Sequence, residues 1–355
     1  FATVNNKDII RFFEDLGIKL KEEDHGRMFP VTDRAKTVVD ALVRKLQQLG
    51  AEIRLNTPVR RVLYAHGRAA GVELNGGERV YAGTVIVAAG GMSVPQTGST
   101  GDGYAWAREA GHTITELFPT EVPITSDESF IRSRTLMGLS LRNVRLTVWS
   151  PQNKKIISHD GDMIFTHFGI SGPAALRCSQ FVVKGLKQYG ADRLPLSIDL
   201  FPDKHENELK QEILRLTSAE PKKRIKTVLK SIVPERLVPL LLNKAKINGD
   251  TPCEQLPKKA AAKVTEAMKR FVIQANGTLS LAQAFVTGGG VHLKEINPKT
   301  LESKIMPGLF FCGEIMDIHG YTGGYNITAA LCTGYTAGKH AAAKSRGQIL
   351  TSAEK

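Results

Sequence analysis

The sequence predicts an α/β protein in which a domain built on a mostly parallel sheet is interrupted by an inserted domain of strands and helices. Three short apolar runs end abruptly in glycine, at 84–91, 284–291 and 309–314. Such runs are typical of strands buried on both faces of a parallel sheet, with their carboxyl ends open toward a ligand. Between the first two runs the pattern changes to strands of alternating polarity and then to helical spacing. The predicted domains are therefore 1–114 and 276–355, which form one domain, and the insert 115–275.

The first predicted domain begins with a short helix, a hairpin and a longer helix. Apolar side chains lie on one side of Asp8–Leu16, and Asp24–Gly26 marks a tight turn between two strands. We expect Thr32 or Asp33 to cap the longer helix, which ends at Gly50. The pattern then predicts short strands at 51–55, 59–64, 69–74 and 80–81, followed by the buried strand that begins at residue 84.

The inserted domain is predicted to combine a sheet with a group of helices. The strands 144–149 and 196–200 alternate apolar and polar residues, which suits a sheet with one face in water. Residues 206–271 follow helical spacing. Farther upstream, Ser171 and Pro173 predict the N-cap and the first turn of another helix.

His167 is a candidate general acid or base. It lies in the run FTHFGISGP, and an imidazole titrates near neutral pH. The alternative is a core histidine whose hydrogen bonds are satisfied.

Charge and composition narrow the possible partners. Lys and Arg number 48 and Asp and Glu 35, a surplus of 13 that favours anionic partners in general. The largest basic clusters, 222–226 and 258–270, follow helical patterns without interleaved aromatic residues, which is typical of solvated helix faces. We therefore expect a small-molecule substrate rather than a nucleic acid. No apolar run is long enough to cross a membrane, and the first residues do not resemble a signal peptide.

The cysteines indicate a reducing compartment. They lie far apart and form no C-x-x-C pair, which argues against a zinc site and against a disulfide framework. We expect a cytoplasmic protein without a bound metal. The four residues are Cys178, Cys253, Cys312 and Cys332.

Two glycine-rich segments predict a ligand site. In the first, a buried strand leads to Gly313 and Glu314, then to the pair Gly323-Gly324 and a helix of small residues from Asn326. The N–H groups at a helix N-terminus are unpaired, and glycines let a ligand approach them, although a pair of glycines can also form a simple tight turn. The second segment, 90–103, suits approach to a phosphate or a sugar, although a surface loop has the same composition.

Four longer runs carry a family resemblance. They are GGMSVPQTGSTGDGYAWAREAGH, FTHFGISGPAAL, AFVTGGGV with EINPKTLESK, and LFFCGEIMDIHGYTGGYNITAALCTGYTAGKHAA. With them the chain resembles the BaiN-like, or aminoacetone-oxidase-like, family of bacterial FAD flavoproteins, often labelled NAD(FAD)-utilising dehydrogenases. The resemblance implies a two-dinucleotide-type FAD-binding domain interrupted by a mixed β-rich and helical insert. Family members begin with a glycine-rich βαβ unit that holds the pyrophosphate, and no G-x-G-x-x-G occurs here, so the resemblance implies a truncated form that retains FAD poorly.

The resemblance also implies which residues bind FAD. Gly90 and Gly91 would line the ribityl and pyrophosphate region, and the Val59 backbone would pass the adenine. The segment 287–290 would lie along the flavin, and His319 and Tyr321 are positional candidates for catalysis. The implied cofactor-binding residues are Val59, Gly90, Gly91, Gly288, Gly289, Gly313, Glu314, Asp317, Gly323, Gly324, Tyr325 and Asn326.

The resulting hypothesis is a cytoplasmic FAD-dependent oxidoreductase. It would transfer a hydride between flavin N5 and a small organic substrate bound between the FAD domain and the insert, with NAD(P)H or O₂ as the other partner. The alternatives are a flavin-dependent RNA-modifying or RNA-binding protein and a non-enzymatic flavin-binding protein. The sequence leaves open the choice among NADH, NADPH and O₂, and also the oligomeric state.

Overall fold

The computed structural model describes residues 4–23, 26–320 and 323–353, with side chains described up to residue 346. The chain forms two units, which we describe separately. Unit 1 comprises Phe1–Leu117 and Val286–Lys355, and unit 2 comprises Phe118–Phe285. Unit 2 extends beyond the predicted end of the insert at residue 275, because the strand Gly277–Thr278 pairs with Ile124–Thr125 in its sheet.

Unit 1 contains three small sheets and four helices within the described residues. Its order is α1 (Asn6–Asp15), β1 (Leu20–Glu23), β2 (Arg27–Pro30), α2 (Ala35–Gln48), β3 (Val59–Ala65), β4 (Arg68–Leu74), β5 (Arg79–Tyr81), β6 (Val85–Val87) and α3 (Asp102–Glu109), then β15 (Val286–Gly288), β16 (Leu309–Phe311) and α10 (Gly323–Ala353), the intervening numbers belonging to unit 2.

The parallel pair β6–β16 confirms that the first and last parts of the chain form one α/β domain. Val85 pairs with Leu309 and Val87 with Phe311. The strand β16 is fully buried, as predicted. Ile86 in β6 is 39% exposed, so the prediction of burial on both faces is wrong for this strand. Among the described strands, β6 has β16 as its only neighbour.

Two further predictions for unit 1 are wrong. Residues 51–55 form no strand, because no described strand is hydrogen-bonded to them. Neither Thr32 nor Asp33 caps α2; Arg34 is the N-cap and makes no side-chain capping bond. Asp33 has φ +53° and its carboxylate pairs instead with the Lys21 ammonium group. The predicted end of this helix is confirmed, because Gly50 follows its last turn with φ +73°.

A buried histidine network joins two distant parts of unit 1. The Ser303 hydroxyl accepts the N–H groups of Ile305 (3.0 Å) and Met306 (2.7 Å), so its own proton is donated to His112 Nε2 at 2.7 Å. The proton of the imidazole therefore lies on Nδ1, which faces Glu295 Oε2 at 3.2 Å. The side chain of His112 is 0% exposed, and burial lowers its pKa against the opposing effect of Glu295. The folded network thus favours a neutral imidazole.

Unit 2 contains a seven-stranded sheet and six helices within the described residues. Its order is β7 (Phe118–Thr120), β8 (Ile124–Thr125), α4 (Ser129–Arg132), β9 (Ser140–Trp149), β10 (Lys155–Phe165), β11 (Gly169–Ser171), α5 (Pro173–Tyr189), β12 (Leu194–Asp199), α6 (Glu206–Ala219), α7 (Ile225–Leu229), α8 (Val238–Ala245), α9 (Ala260–Lys269), β13 (Phe271–Ala275) and β14 (Gly277–Thr278).

The sheet of unit 2 is antiparallel, in the order β13-β12-β9-β10-β11-β8-β14. The predicted group of helices between residues 206 and 271 is confirmed. The prediction that one face of the sheet lies in water is wrong at β12, where the consecutive residues Leu196, Ser197 and Ile198 are all buried. Both α5 and α9 pack on this strand, so neither of its faces is open to water.

The start of α5 depends on a glycine rather than on the predicted Ser171 cap. Pro173 is the first helical residue, as predicted, but the N-cap is Gly172. Its φ is +94°, and a Cβ there would lie 2.9 Å from Met163 Cα. Ser171 belongs to β11, so its side chain does not cap the helix.

None of the helices in the described residues has both the length and the apolar character that a bilayer crossing requires. All four cysteines are buried free thiols.

The His112 network predicts that stability rises with pH. An unfolded histidine binds a proton below about pH 6.5, whereas burial keeps the folded His112 neutral to lower pH. The unfolded chain then binds more protons, so the free energy of unfolding falls as the pH drops from about 7 to about 5, by up to ~1.4 kcal/mol per pH unit from this site. Urea unfolding of His112→Asn should show a shallower pH dependence than the parent. His66→Asn, at an exposed turn, serves as control; equal slopes in the parent and His112→Asn would contradict this assignment.

Candidate cofactor-binding site

The hydroxyl of Thr287 joins the strand-end segments of unit 1. Its Oγ1 accepts the N–H of Met92 (2.8 Å) and of Ser93 (3.1 Å) and lies 2.9 Å from Ser93 Oγ. The N–H of Thr287 donates to Glu314 Oε1 at 2.9 Å. The structure thereby brings together the predicted segments 90–93, 287–290 and 313–317. We call this group, Gly91, Met92, Ser93, Thr287 and Glu314, the cradle.

The cradle requires a glycine at position 91. A Cβ there would lie 2.3 Å from Thr287 Oγ1 and 2.6 Å from Glu314 Oε1, distances that no ordinary contact allows. At the preceding Gly90, φ is +70° and a Cβ would lie 2.6 Å from Ser99 Oγ. Local packing alone therefore requires glycine at both predicted positions. Contact of a ligand with their backbone is not needed to explain these glycines.

The glycines after β15 allow backbones to pack together. A Cβ at Gly289 would lie 2.1 Å from the Glu116 carbonyl oxygen, and one at Gly290 would lie 2.5 Å from that of Ile315. The predicted Gly288 is buried in β15 itself. The N–H of Asp317, another predicted residue, donates to the Val291 carbonyl at 3.1 Å. These bonds fix the 313–317 turn beside the end of β15.

A cleft lies between this turn and the first turns of α10. The N–H of Gly313 donates to Thr333 Oγ1 at 3.0 Å, and the N–H of Gly320 donates to Asn326 Oδ1 at 2.8 Å. These two bonds tie both ends of the 313–320 turn to one helix. The cleft is lined by Gly313, Glu314, Met316, Ile318, Asn326 and Thr333, together with Ala329.

The N-terminus of α10 forms one end of this region. Gly323 and Gly324 lie in the first helical turn rather than in a left-handed turn, so their N–H groups belong to the unpaired set at a helix start. No described atom lies within 4 Å of a Cβ built on Gly323. Tyr325 is 67% exposed. Tyr321, a positional candidate for catalysis, lies outside the described residues.

The side chain of Tyr104 gives a direct test of whether the site fits a polar cofactor. This residue of α3 is 2% exposed, and its hydroxyl has no hydrogen-bond partner among the described residues. Burial, with smaller effects from Glu314 and Asp317, raises the pKa of the phenol. A buried hydroxyl usually has a partner, because leaving it unpaired costs roughly 1–3 kcal/mol. The cleft itself is small, about 10 Å³, so it does not hold a whole cofactor. The orphaned hydroxyl and the nearby start of α10 are the features of this region that suit a polar ligand.

The remaining predicted residues belong to other elements. Val59 begins β3, where it pairs with Leu74. His167 belongs to unit 2, in the turn between β10 and β11, and its ring packs edge-to-face on Phe168 at 4.9 Å. It is exposed, so the alternative reading as a core histidine is wrong. His319 lies in the segment before α10 and is partly buried.

Sequence reasoning did not single out Tyr104 or Thr333. A signal for Thr333 was present, because Asn326, Ala329 and Thr333 follow the spacing of one helix face. Nothing local marks Tyr104, since an amphipathic helix buries many tyrosines. The described residues contain no cluster of three or more His, Cys, Asp or Glu side chains that could hold a metal ion.

The fold and the cradle define a dinucleotide-binding flavoprotein of the Rossmann class, and comparison with known proteins identifies its family. The model of the HI0933-like protein Rossmann domain matches residues 1–340. The chain belongs to this family, which confirms the resemblance found in the sequence. It is a flavin-dependent oxidoreductase whose cofactor is FAD.

Similar proteins carry two different names. The chain is 29% identical over 336 residues to the 3-dehydro-bile acid delta(4,6)-reductase of Clostridium scindens, covering 94% of this chain and 80% of that protein. It is 30% identical over 336 residues to the ribosomal RNA dihydrouridine synthase of Haemophilus influenzae, covering 94% and 79%. The dihydrouridine synthase of Escherichia coli is 29% identical, covering 90% and 75%.

The cradle predicts that Gly91→Ala lowers flavin binding. The added Cβ would displace the Thr287 hydroxyl and the Glu314 carboxylate, and with them the bonds that hold three segments together. We expect at least a tenfold loss of FAD affinity, corresponding to about 1.4 kcal/mol. The measurement is flavin occupancy and FAD titration of the intact protein purified from its host.

Two variants control this experiment. Gly76→Ala introduces the same methyl group where no atom lies within 4 Å, and it should bind flavin normally. His167→Ala removes an exposed imidazole of unit 2 and should also leave occupancy unchanged. Equal flavin occupancy in Gly91→Ala and Gly76→Ala would show that the cradle does not contribute to flavin binding.

Proposed function

We propose that this oxidoreductase reduces a carbon–carbon double bond conjugated to a carbonyl group in a small organic substrate. FAD, when bound, supplies the hydride at its N5 position. The observation that carries the proposal is the meeting of three strand-end segments in the cradle, with Glu314 of the cradle lining the cleft beside the first turns of α10. A helix start favours an electron-rich ligand such as a flavin. The substrate class is supported by the similar proteins, since a delta(4,6)-reductase and a dihydrouridine synthase are both named for reducing a carbon–carbon double bond.

The chain would contribute positioning and electrostatics rather than a covalent step. The first turn of α10 carries partial positive charge, which favours negative charge on a ligand at that end. Glu314 is already engaged, because its Oε1 accepts the Thr287 N–H. It therefore holds the strand ends in place. Gly313 and Asn326, two residues predicted for the cofactor, would line the same cleft.

Our proposal includes NAD(P)H or O₂ as the second partner and a cytoplasmic location. Four buried free thiols support a reducing compartment, where thiols persist without oxidation. A small-molecule substrate is supported by the ion pairs that neutralise part of the basic cluster at 222–226. There Lys223 pairs with Glu220 at 3.0 Å, and Arg224 and Lys226 pair with Asp250 at 2.8 and 2.7 Å.

The second candidate function is reduction of uridine in ribosomal RNA. It is favoured by the 30% sequence identity to a ribosomal RNA dihydrouridine synthase. The identity to the bile acid reductase is almost the same, 29%. The charge surplus of 13 would assist RNA binding. The first candidate is preferred because ion pairs neutralise much of the cluster at 222–226.

Reoxidation of the reduced flavin tests the substrate class. We expect cyclohexenone, mixed anaerobically with the reduced intact protein, to reoxidise the flavin, whereas the saturated cyclohexanone does not, because only the enone accepts a hydride at a conjugated carbon. Rapid-mixing absorbance records the reaction. If a uridine-containing ribosomal RNA fragment reoxidises the flavin and no enone does, the second candidate replaces the first. If neither does, both are rejected.

RNA affinity tests the second candidate independently. We expect filter binding at about 150 mM salt to show no tight complex with ribosomal RNA, because exposed lysines give only screened, sequence-independent attraction. The informative variant replaces Lys222, Lys223 and Arg224 by Ala. Tight binding by the parent that weakens in this variant would contradict our preference for a small molecule.

A further inference from the structure

A cavity of about 220 Å³ lies among the helices of unit 2. Its walls come from α6, from the start of α7, from the segment 253–258 and from the first turns of α9. The volume exceeds the ~150 Å³ of an apolar protein cavity that binds benzene. It is below the ~300–1,000 Å³ typical of sites for drug-sized ligands. The cavity therefore has room for one ring or a short alkyl chain.

The interior of the cavity is apolar. Ile213, Ile225 and Val264 line it from three different helices, and each is almost completely buried. Leu214 is 37% exposed at the same wall. The hydroxyl of Thr217 donates to the Ile213 carbonyl at 2.9 Å, so it is satisfied within its own helix. The Ser218 hydroxyl and the Cys253 thiol are the other neutral polar groups of the lining. Most of a ligand in this space would contact apolar side chains.

The walls are fixed by backbone hydrogen bonds. The N–H of Cys253 donates to the Lys223 carbonyl at 2.9 Å, and that of Glu254 to the Pro221 carbonyl at 3.0 Å. The N–H of Ile225 donates to the Thr251 carbonyl at 3.0 Å. These bonds hold 251–254 against 221–225 with the cavity already formed. A ligand would therefore enter without ordering a loop.

The rim of the cavity carries unpaired positive charge. Lys258 lines it, Lys259 is the next residue, and Lys222 follows the lining residue Pro221. Within the described part of the chain no ion pair involves these three lysines. Glu254 is the one acidic residue in the lining and Lys258 the one basic residue, so the surplus of positive charge comes from Lys222 and Lys259, which adjoin the lining in sequence.

The start of α9 adds to this charge. The helix begins at Ala260, in the cavity wall, with no acidic residue in its first turn and no side-chain bond from its N-cap Lys259. The N–H of Ala260 donates to the Pro257 carbonyl at 2.7 Å, and no acidic side chain opposes the partial positive charge in the first turn. Apolar walls with a positive rim select a ligand with an apolar body and one negative end.

We propose that this cavity binds a small organic monocarboxylate, with a ring or short alkyl chain inside and the carboxylate at Lys258 and Lys222. The lining of this cavity shares no residue with the cofactor cradle. The cavity takes a second ligand besides the substrate and FAD.

Titration calorimetry on the intact protein tests the proposal with matched probes. Benzoate and octanoate are the anionic probes, and benzylamine and octylamine have similar apolar bodies with the opposite charge. We expect both carboxylates to bind and both amines to bind at least tenfold more weakly. Lys258→Ala should weaken benzoate binding by about 2- to 5-fold, the range of an exposed ion pair. Lys154→Ala, in the exposed turn between β9 and β10, should change nothing.

Filling variants locate the site. Ala261→Leu places three carbon atoms more in the cavity wall and should abolish carboxylate binding, whereas Ala262→Leu, one position along α9 and outside the lining, should retain it. Ser218→Trp covers the cavity from an exposed position of α6, so it tests the same point without altering a buried residue. Arg215→Trp is its control on the same helix.

The outcomes separate clearly. Carboxylate binding lost in Ala261→Leu and Ser218→Trp but kept in their controls supports the site. No binding of either carboxylate by the parent, binding unchanged in both filling variants, or equal binding of amines and carboxylates would each overturn the proposal. None of these results depends on flavin content, so the proposed reductase activity stands or falls separately.

Discussion

The arrangement of unit 1 depends on one buried hydroxyl. Thr287 Oγ1 accepts two backbone N–H groups, from Met92 and Ser93, and both of its lone pairs are then used. Its proton is left for Ser93 Oγ, so every bond direction is fixed. Because Thr287 and Ser93 are buried, separating the segments would leave their polar atoms unpaired at a cost of roughly 1–3 kcal/mol each. The end of β15, the loop after β6 and, through Glu314, the turn after β16 therefore hold one another in place.

Glycine has two different uses around this hydroxyl. At Gly91, Gly289 and Gly290 the absent side chain makes room for other protein atoms, which would lie 2.1 to 2.6 Å from a Cβ. At Gly313 the nearest atom to a Cβ is 3.7 Å away, and at Gly323 no atom of the described residues lies within 4 Å. The first set determines the packing of the unit, and the second leaves open space beside a cleft and a helix start. A ligand is expected at the second set.

Sequence patterns predicted the helices and strands more accurately than the contacts that these elements make with their neighbours. The apolar runs at 85–87 and 309–311 predicted two buried parallel strands, and their pairing is confirmed, although the exposure of Ile86 was missed. Periodicity reports which face of an element is apolar, not which neighbours cover it, so a strand at 51–55 was predicted where no partner strand lies. The same limit applies to the site. The glycines and Glu314 stand out in the sequence, but their shared contact with Thr287 exists only after folding.

The parallel pair β6–β16 also constrains the order in which the protein forms. Val85 pairs with Leu309, and all of unit 2 lies between them in the chain. During synthesis from the N-terminus, β6 leaves the ribosome long before its partner exists, whereas every strand of the unit 2 sheet is complete by residue 278. Closing so long a loop is slow for an unstructured chain, and a folded insert shortens it. The order of synthesis therefore allows unit 2 to fold before β16 exists, and the cradle can be completed only after Glu314, which follows β16, has emerged.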